Sequence, residues 1–256
     1  MQIAIIGHGA IANYVRARLP HGIHEAAQIV RPGKETPDNP PRISAIADLP
    51  SGVDLVVDCG GHAALAAHGP AALTKGIDVL TVSLGALADQ ALYDQLLAAA
   101  QTGGAHLHLA SGAIGGLDAL RAACAGPMQS VTYKGRKPPA GWQGSPAENV
   151  LDLAALTKAT PHFTGSARHA ALAYPKNANV AAAVALAGIG MDATWVELIA
   201  DPAAAGNIHE IHAVGQFGEL HFQITGKGLP DNPCSSALAA MSVVSALAEW
   251  QKRIVF

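Results

Sequence analysis

The sequence predicts a parallel α/β domain over residues 1–110 followed by an α+β domain over residues 111–234. A C-terminal helix, 235–256, is expected to return and pack on the first domain. Three observations carry this. The chain opens on a short apolar run, Ile3-Ala4-Ile5-Ile6, that leads straight into a glycine turn. Strand-like and helix-like segments then alternate as far as residue 110. Beyond residue 190 three strand-like segments follow one another with no helix between them, which requires an antiparallel or mixed sheet.

The opening run has the length of a strand buried on both faces. Gly7-His8-Gly9-Ala10-Ile11-Ala12 follows it, and Ile11, Val15 and Leu19 then recur at helical spacing. Strand, glycine turn and helix start form the context in which G-x-G-x-x-[GA] marks a dinucleotide site of Rossmann type. Gly7 permits the tight turn, Gly9 lets backbone approach a pyrophosphate, and Ala12 is small enough for helix–strand packing. The helix start offers unpaired N–H groups to phosphate. Gly7, Gly9, Ala10 and Ile11 are therefore the candidate cofactor contacts of this domain, and NAD or NADP is the expected cofactor.

Ala26–Val30 is predicted as the second strand. NAD-specific domains usually end this strand with Asp or Glu, which accepts from the ribose hydroxyls. Here it ends in Arg31-Pro32-Gly33-Lys34, with two cations and no carboxylate to repel a 2′-phosphate, so acceptance of NADP is expected, alone or beside NAD. Both are equally consistent with ordinary loop cations. A proline-rich loop, Pro37 to Pro41, leads to a short segment at Ala45–Leu49. Val53–Cys59, Asp78–Ser83 and His106–Leu109 are further strands, separated by helices at Ala63–Lys75 and Ala88–Gln101. The turn Cys59-Gly60-Gly61-His62 belongs among the ligand-facing loops at the strand ends, with Cys59 read as a buried thiol rather than a nucleophile.

In the second domain, helices are predicted at 117–125, Ala147–Ala159 and Ala178–Leu186, and strands at Ser130–Lys134, Thr194–Ala200, Ile208–Val214 and Glu219–Thr225. Lys134 to Pro146, rich in Gly, Pro and Lys, suggests a mobile loop. The closing helix, Ser235–Trp250, follows a Pro-Asp-Asn-Pro break.

Composition narrows the function classes. A net charge of -3 without basic clusters argues against nucleic acid as a partner. No apolar run approaches the ~20 residues that cross a bilayer, and the chain opens on a strand without a charged leader region, so neither membrane insertion nor a signal peptide is expected. Cys59, Cys124 and Cys234 are widely spaced, which suits a reducing cytoplasm and no disulfide framework. The twelve histidines are scattered without H-E-x-x-H spacing, so no metal is expected.

A nicotinamide enzyme also needs a substrate site and a proton-moving group, which the second domain should supply. Ser111-Gly112-Ala113-Ile114-Gly115-Gly116 is a small-residue turn before a helix, equally consistent with a plain hinge. Lys134-Gly135-Arg136-Lys137 offers cations to a dicarboxylate, although surface loops commonly carry such charge. Asn179, just before the alanine-rich helix, has the donor and acceptor that a carboxamide needs, and is equally a common helix cap. An imidazole, titrating near about 6.5 when unperturbed, suits reversible proton transfer. His209 shares strand parity with Ile211 and Ala213, His212 with Ile208 and Val214, and spacing does not choose between them.

Taken together, Gly7–Ile11, Val82–Leu87, Ser111–Leu120, Arg136-Lys137-Pro138, Tyr174–Ala182, Asp201-Pro202 with Asn207-Ile208-His209, and Asn232-Pro233 before Ser235–Leu238 resemble the L-aspartate dehydrogenase family across essentially the whole chain. Ala12 departs from the family's usual glycine, and His8 is more polar than most residues found between the glycines. The resemblance implies a second domain like the C-terminal domain of glyceraldehyde-3-phosphate dehydrogenase, a homodimer, and oxidative deamination of L-aspartate to oxaloacetate and ammonia with NAD or NADP. It implies His209 as the active-site histidine and Ala113 and Asn179 as cofactor contacts. Telling aspartate from alanine requires a cation at the side-chain carboxylate, for which Lys137 and Lys176 are the candidates. The alternatives are a dehydrogenase for another amino acid or ketoacid, which a substrate panel separates, and a nucleotide-sensing regulator that binds cofactor without turnover.

Overall fold

The computed structural model describes residues 1–175 and 177–254, the side chain of Cys234 excepted. The chain divides into two compact units, Met1–Gly112 with the segment from Ala239 onward, and Ala113–Leu238.

The first unit runs β1 (Gln2–Ile6), α1 (Ala10–Arg16), β2 (His24–Ile29), β3 (Arg42–Ile43), β4 (Leu55–Asp58), α2 (His62–Thr74), β5 (Asp78–Thr81), α3 (Gln90–Gly103) and β6 (Leu107–Leu109). Its strands form one all-parallel sheet in the order β3-β2-β1-β4-β5-β6. This is the doubly wound dinucleotide-binding order, in which the strand sequence reverses between β1 and β4. Ile3–Ile6 of β1 and all of β4 are buried, as central parallel strands must be. The Asp89 carboxylate caps α3 by accepting from the Ala91 and Leu92 N–H groups, and Gly104 ends it at φ 66°. Two details differ from expectation. Helix α1 has only seven residues and stops before Leu19. Directly after the proline loop, Arg42–Ile43 adds an edge strand beside β2 that its two-residue length hid from any periodicity.

The second unit contains α4 (Leu117–Ala123), β7 (Met128–Lys137), β8 (Thr160–Ser166), α5 (Ala167–Ala173), α6 (Asn179–Ala187), β9 (Trp195–Ala200), β10 (Asn207–Gly215), β11 (Gly218–Gly226), β12 (Gly228–Leu229) and β13 (Asn232–Ser236). Five of the strands form a mixed sheet in the order β11-β10-β7-β9-β8, with β7 and β9 parallel and the other pairs antiparallel. Helix α6 packs on β7, α4 and α5. Its run Val180–Ala185 is buried, and the alanine side chains allow close approach. The closing helix, α7 (Ala237–Glu249), is tied to the first unit where Ser242 Oγ accepts from the Gly112 N–H at 3.1 Å.

Several expectations for this half are corrected. The segment from Lys134 is not a loop: β7 runs through Lys137, and a 3-10 turn at Pro139–Trp142 is anchored by Trp142, which is buried and donates Nε1–H to the Ile199 carbonyl at 3.0 Å. Residues Ala147–Ala159 form no helix beyond a 3-10 turn at Pro146–Asn149. Beyond Ala147, which is buried, none of their apolar side chains is fully buried, and the Asp152 carboxylate accepts from the Ala154 and Ala155 N–H groups, a local bond that competes with helix. Strand β8 and helix α5, unforeseen, are joined at Ser166, whose Oγ caps the helix by accepting from the His169 N–H. The last long strands are not sheet neighbours throughout, because β7 lies between β9 and β10. Asn232-Pro233 belongs to the β12–β13 ladder rather than to a simple break.

Candidate active site

In the first unit the C-terminal ends of β1, β2 and β4 enclose a cavity of about 760 Å³, lined in part by Gly7, His8, Gly9, Arg31, Cys59 and Gly60. It lies at the reversal of strand order, where doubly wound sheets take their ligands. Gly7 has φ 102°, and a Cβ there would stand 3.0 Å from the Gly60 Cα and 3.1 Å from the Cys59 carbonyl oxygen. A side chain at Gly60 would strike the Ala64 Cβ at 2.6 Å. A Cβ at Gly9 would meet nothing within 4 Å, so the backbone there faces open space. The two adjoining turns thus press together while leaving one approachable peptide edge, which suits a pyrophosphate. Arg16 braces the turn by donating to the Gly7 carbonyl at 2.9 Å and to the Glu25 carboxylate. Asp58, fully buried, accepts from the Gly60 N–H at 2.9 Å and from Thr81 Oγ1 at 2.7 Å; burial drives its carboxyl pKa up against those bonds.

Arg31, Lys34 and Arg42 also line this cavity, and no carboxylate does. Arg42 escaped the sequence reading because only the pairing of β3 with β2 brings it there. Ala10 and Ile11 open α1 and are not among the lining residues. Cys59 is half-buried, and burial first, then the Asp58 charge, pushes its thiol pKa up, which favours the protonated thiol. These residues fit a bound dinucleotide: the glycines would hold the pyrophosphate, and the cations would meet an adenosine 2′-phosphate.

In the second unit strand parity places Val131, Tyr133, Gly135 and Lys137 of β7 on the buried face. The register sets His209 of β10 opposite Gly135. The Tyr133 hydroxyl lies 2.7 Å from His209 Nδ1, with the rings near parallel at an interplanar angle of 20°. Gly135 makes that contact possible, since a Cβ there would stand 2.7 Å from the hydroxyl. His212, on the opposite parity, instead meets Glu219 at 2.6 Å on the exposed face. Parity thus separates the two histidines, and His209 is the buried one, 3% exposed.

The same face carries Lys137, 8% exposed, whose Nζ donates to Asn177 Oδ1 at 2.7 Å and sits 4.8 Å over the Trp142 ring. Lys134 and Arg136, of the other parity, are neutralised by Glu197 at 3.1 Å and Asp201 at 3.2 Å. Of the cationic tract only Lys137 therefore joins the histidine. Burial first, and then the Lys137 charge, lowers the His209 pKa to about 4, leaving a neutral imidazole near neutral pH. His162 of β8, unremarked in the sequence, belongs to the same group: its Nδ1 is 3.2 Å from the Tyr174 hydroxyl, and the same two causes lower its pKa to about 4. Asn179 is the first residue of α6, and the cap position is Ala178. Ala113 begins the second unit and is half-buried. Lys176 lies outside the described residues.

Residues 7–110 match the family described as homoserine dehydrogenase, NAD binding domain, and residues 118–250 match aspartate dehydrogenase, C-terminal. The chain is 58% identical over 254 residues to L-aspartate dehydrogenase of Ruegeria pomeroyi, covering 96% of this chain and 91% of that protein. It is 46% identical to the L-aspartate dehydrogenase of Pseudomonas aeruginosa over 96% of each chain. The crystal structure of aspartate dehydrogenase from Thermotoga maritima is similar over 100% of this chain and 99% of its own, with a TM-score of 0.79 and 27% identity. Two family models matched in order, with relatives aligned over nearly the whole chain, leave one conclusion: the chain belongs to the L-aspartate dehydrogenase family.

Proposed function

We propose that this chain catalyses the NAD(P)-dependent oxidative deamination of L-aspartate: L-aspartate, water and NAD(P)+ give oxaloacetate, ammonium, NAD(P)H and a proton, through iminosuccinate, and the reaction runs in reverse as reductive amination. Bound NAD(P)+ supplies the hydride acceptor. The Gly7–Gly9 turn, with Ala10 and Ile11 behind it, holds the nucleotide in this reading, and Ala113 and Asn179 are assigned further contacts to it. His209 is the acid/base. The observation that carries this is its buried imidazole held through Nδ1 by Tyr133, which leaves Nε2 for the substrate. The neutral ring takes a proton from the water that adds to iminosuccinate, and returns one to the departing nitrogen. For Nε2 to take that proton, the neutral ring carries its hydrogen on Nδ1 and donates it to the Tyr133 oxygen, a bond that persists and strengthens when the ring becomes charged. Lys137 reads the side-chain carboxylate; the incoming negative charge then offsets its field and makes His209 more basic in the complex than alone.

We also assign the nucleotide to the unit Met1–Gly112 with α7, and catalysis and homodimer formation to Ala113–Leu238. A reducing, cytoplasmic setting accords with Cys59 and Cys124, both free thiols. The described residues contain no helix long and apolar enough to cross a membrane.

The deciding assay follows reduced nicotinamide absorbance with oxaloacetate and ammonium, against a panel of other ketoacids. Oxidation must depend on both reactants and favour oxaloacetate; cofactor binding without turnover would identify a nucleotide sensor instead. His209→Ala should lower kcat about 10²–10⁴-fold while nucleotide affinity is kept, and an unchanged kcat removes His209 as the acid/base.

A further inference from the structure

Three side chains that the proposed reaction does not use converge at the N-terminal ends of β5 and β6. His106 and His108 are two residues apart, so their side chains leave the same face of the sheet. Asp78 opens the neighbouring strand, in register beside them. Its Oδ1 accepts from the His106 backbone N–H at 2.7 Å, which fixes the carboxylate between the two rings. Asp78 Oδ1 lies 3.7 Å from His106 Nδ1, and Asp78 Oδ2 lies 3.1 Å from His108 Nε2. One ligand atom from each residue falls within 4.8 Å of the other two. Donors about 2.0–2.2 Å from a tetrahedral ion are separated by roughly 3.4 Å; each imidazole is near that spacing from its own carboxylate oxygen, and the set of one atom per residue closes by about an ångström on the ion. Asp78 lies 28 residues from His106 in sequence, and only the parallel pairing of β5 with β6 brings it to the histidine pair.

We propose that Asp78, His106 and His108 form a binding site for one divalent first-row transition cation such as Zn²⁺, Ni²⁺ or Cu²⁺. Two imidazoles and one carboxylate select these ions over Mg²⁺ or Ca²⁺, which prefer all-oxygen sites. Three protein ligands leave positions for water, and His106 is largely exposed, so the ion exchanges with solvent. In a parallel sheet these strand starts lie at the opposite edge from the nucleotide cavity, so the ion takes no part in hydride transfer. It clasps β5 to β6 and acts on the end of the closing helix, because the Trp250 ring meets His108 edge-on at 4.4 Å between centroids.

Trp250 also supplies the readout. Untagged full-length protein is titrated with NiCl₂ while tryptophan fluorescence and, separately, heat of binding are followed. One saturable equivalent that quenches fluorescence is expected, with MgCl₂ giving neither signal. Trp250→Phe should abolish most of the quench and keep the heat. His106→Asn, at an exposed position where folding is not at stake, should weaken binding at least about tenfold, and Asp78→Asn likewise. Absence of saturable heat up to ~1 mM Ni²⁺ overturns the proposal. So does unchanged affinity in His106→Asn, which would put the ion on other histidines or on thiols.

Discussion

Tyr133→Phe removes a single hydroxyl, 2.7 Å from His209 Nδ1, and leaves the ring that packs beside the imidazole. Both residues are buried, so water does not freely replace the lost partner. Depriving a buried polar atom of its partner costs about 1–3 kcal/mol, and the melting point should fall accordingly. The kinetic effect should be the larger signature. When His209 takes up a proton at Nε2, the Nδ1–H bond to the tyrosine oxygen becomes a bond from a charged group, worth about 1.5–3 kcal/mol. Its loss predicts a fall in kcat of roughly ten- to a hundredfold. KM for aspartate should change little, because Tyr133 meets the histidine and not the substrate in this scheme. The assay is steady-state reduction of NAD(P)+ with aspartate, repeated in His209→Ala and in the double variant. Within that cycle Tyr133→Phe should have almost no further effect once His209 is absent. A kcat within twofold of the parent, or equal losses with and without His209, would refute the coupling and make Tyr133 a packing residue only.

Acid should destabilise the second unit. His209 and His162 have folded pKa values near 4 against 6.5 in the unfolded chain, so the unfolded state binds protons first as pH falls. Stability should drop between about pH 6.5 and 4, by up to ~1.4 kcal/mol per pH unit for each imidazole, and urea midpoints of His209→Gln should show a shallower decline. Gly9→Val fills the open face of the turn and should weaken NAD and NADP binding together, at least about tenfold, by fluorescence titration. Arg31→Ala with Arg42→Ala should raise KM for NADP more than for NAD, by about tenfold or more, since a phosphate–arginine bond is lost only with the former; equal effects would return both to ordinary loop cations.

Much of the first unit is legible in one dimension because its determinants are local. A buried strand needs a continuous apolar run, and Ile3–Ile6 supplies one. A backbone at φ 102° needs a glycine, and Gly7 supplies it. Both requirements are written within a few residues. The second unit depended on choices that no local pattern makes. Lys134–Lys137 has the composition of a loop, yet β9 and β10 close on either side of it and make it the central strand. Residues 147–159 have the composition of a helix, but after Ala147 none of them is fully buried, and a side-chain-to-backbone bond wins.

For the site, the sequence by itself determined which chemical groups were available: the glycine turn, the imidazoles of His209 and His212, the cations at 134–137. Only the tertiary structure decided which of them act together. Register set His209 against Gly135, within reach of Tyr133, and parity sent Lys137 inward while Lys134 and Arg136 turned to carboxylates. A period-two strand carries neighbouring residues to opposite faces, so a buried lysine beside the histidine and a solvated ion pair differ by one position. That single step is fixed by which strands pair, and pairing is a property of the whole sheet.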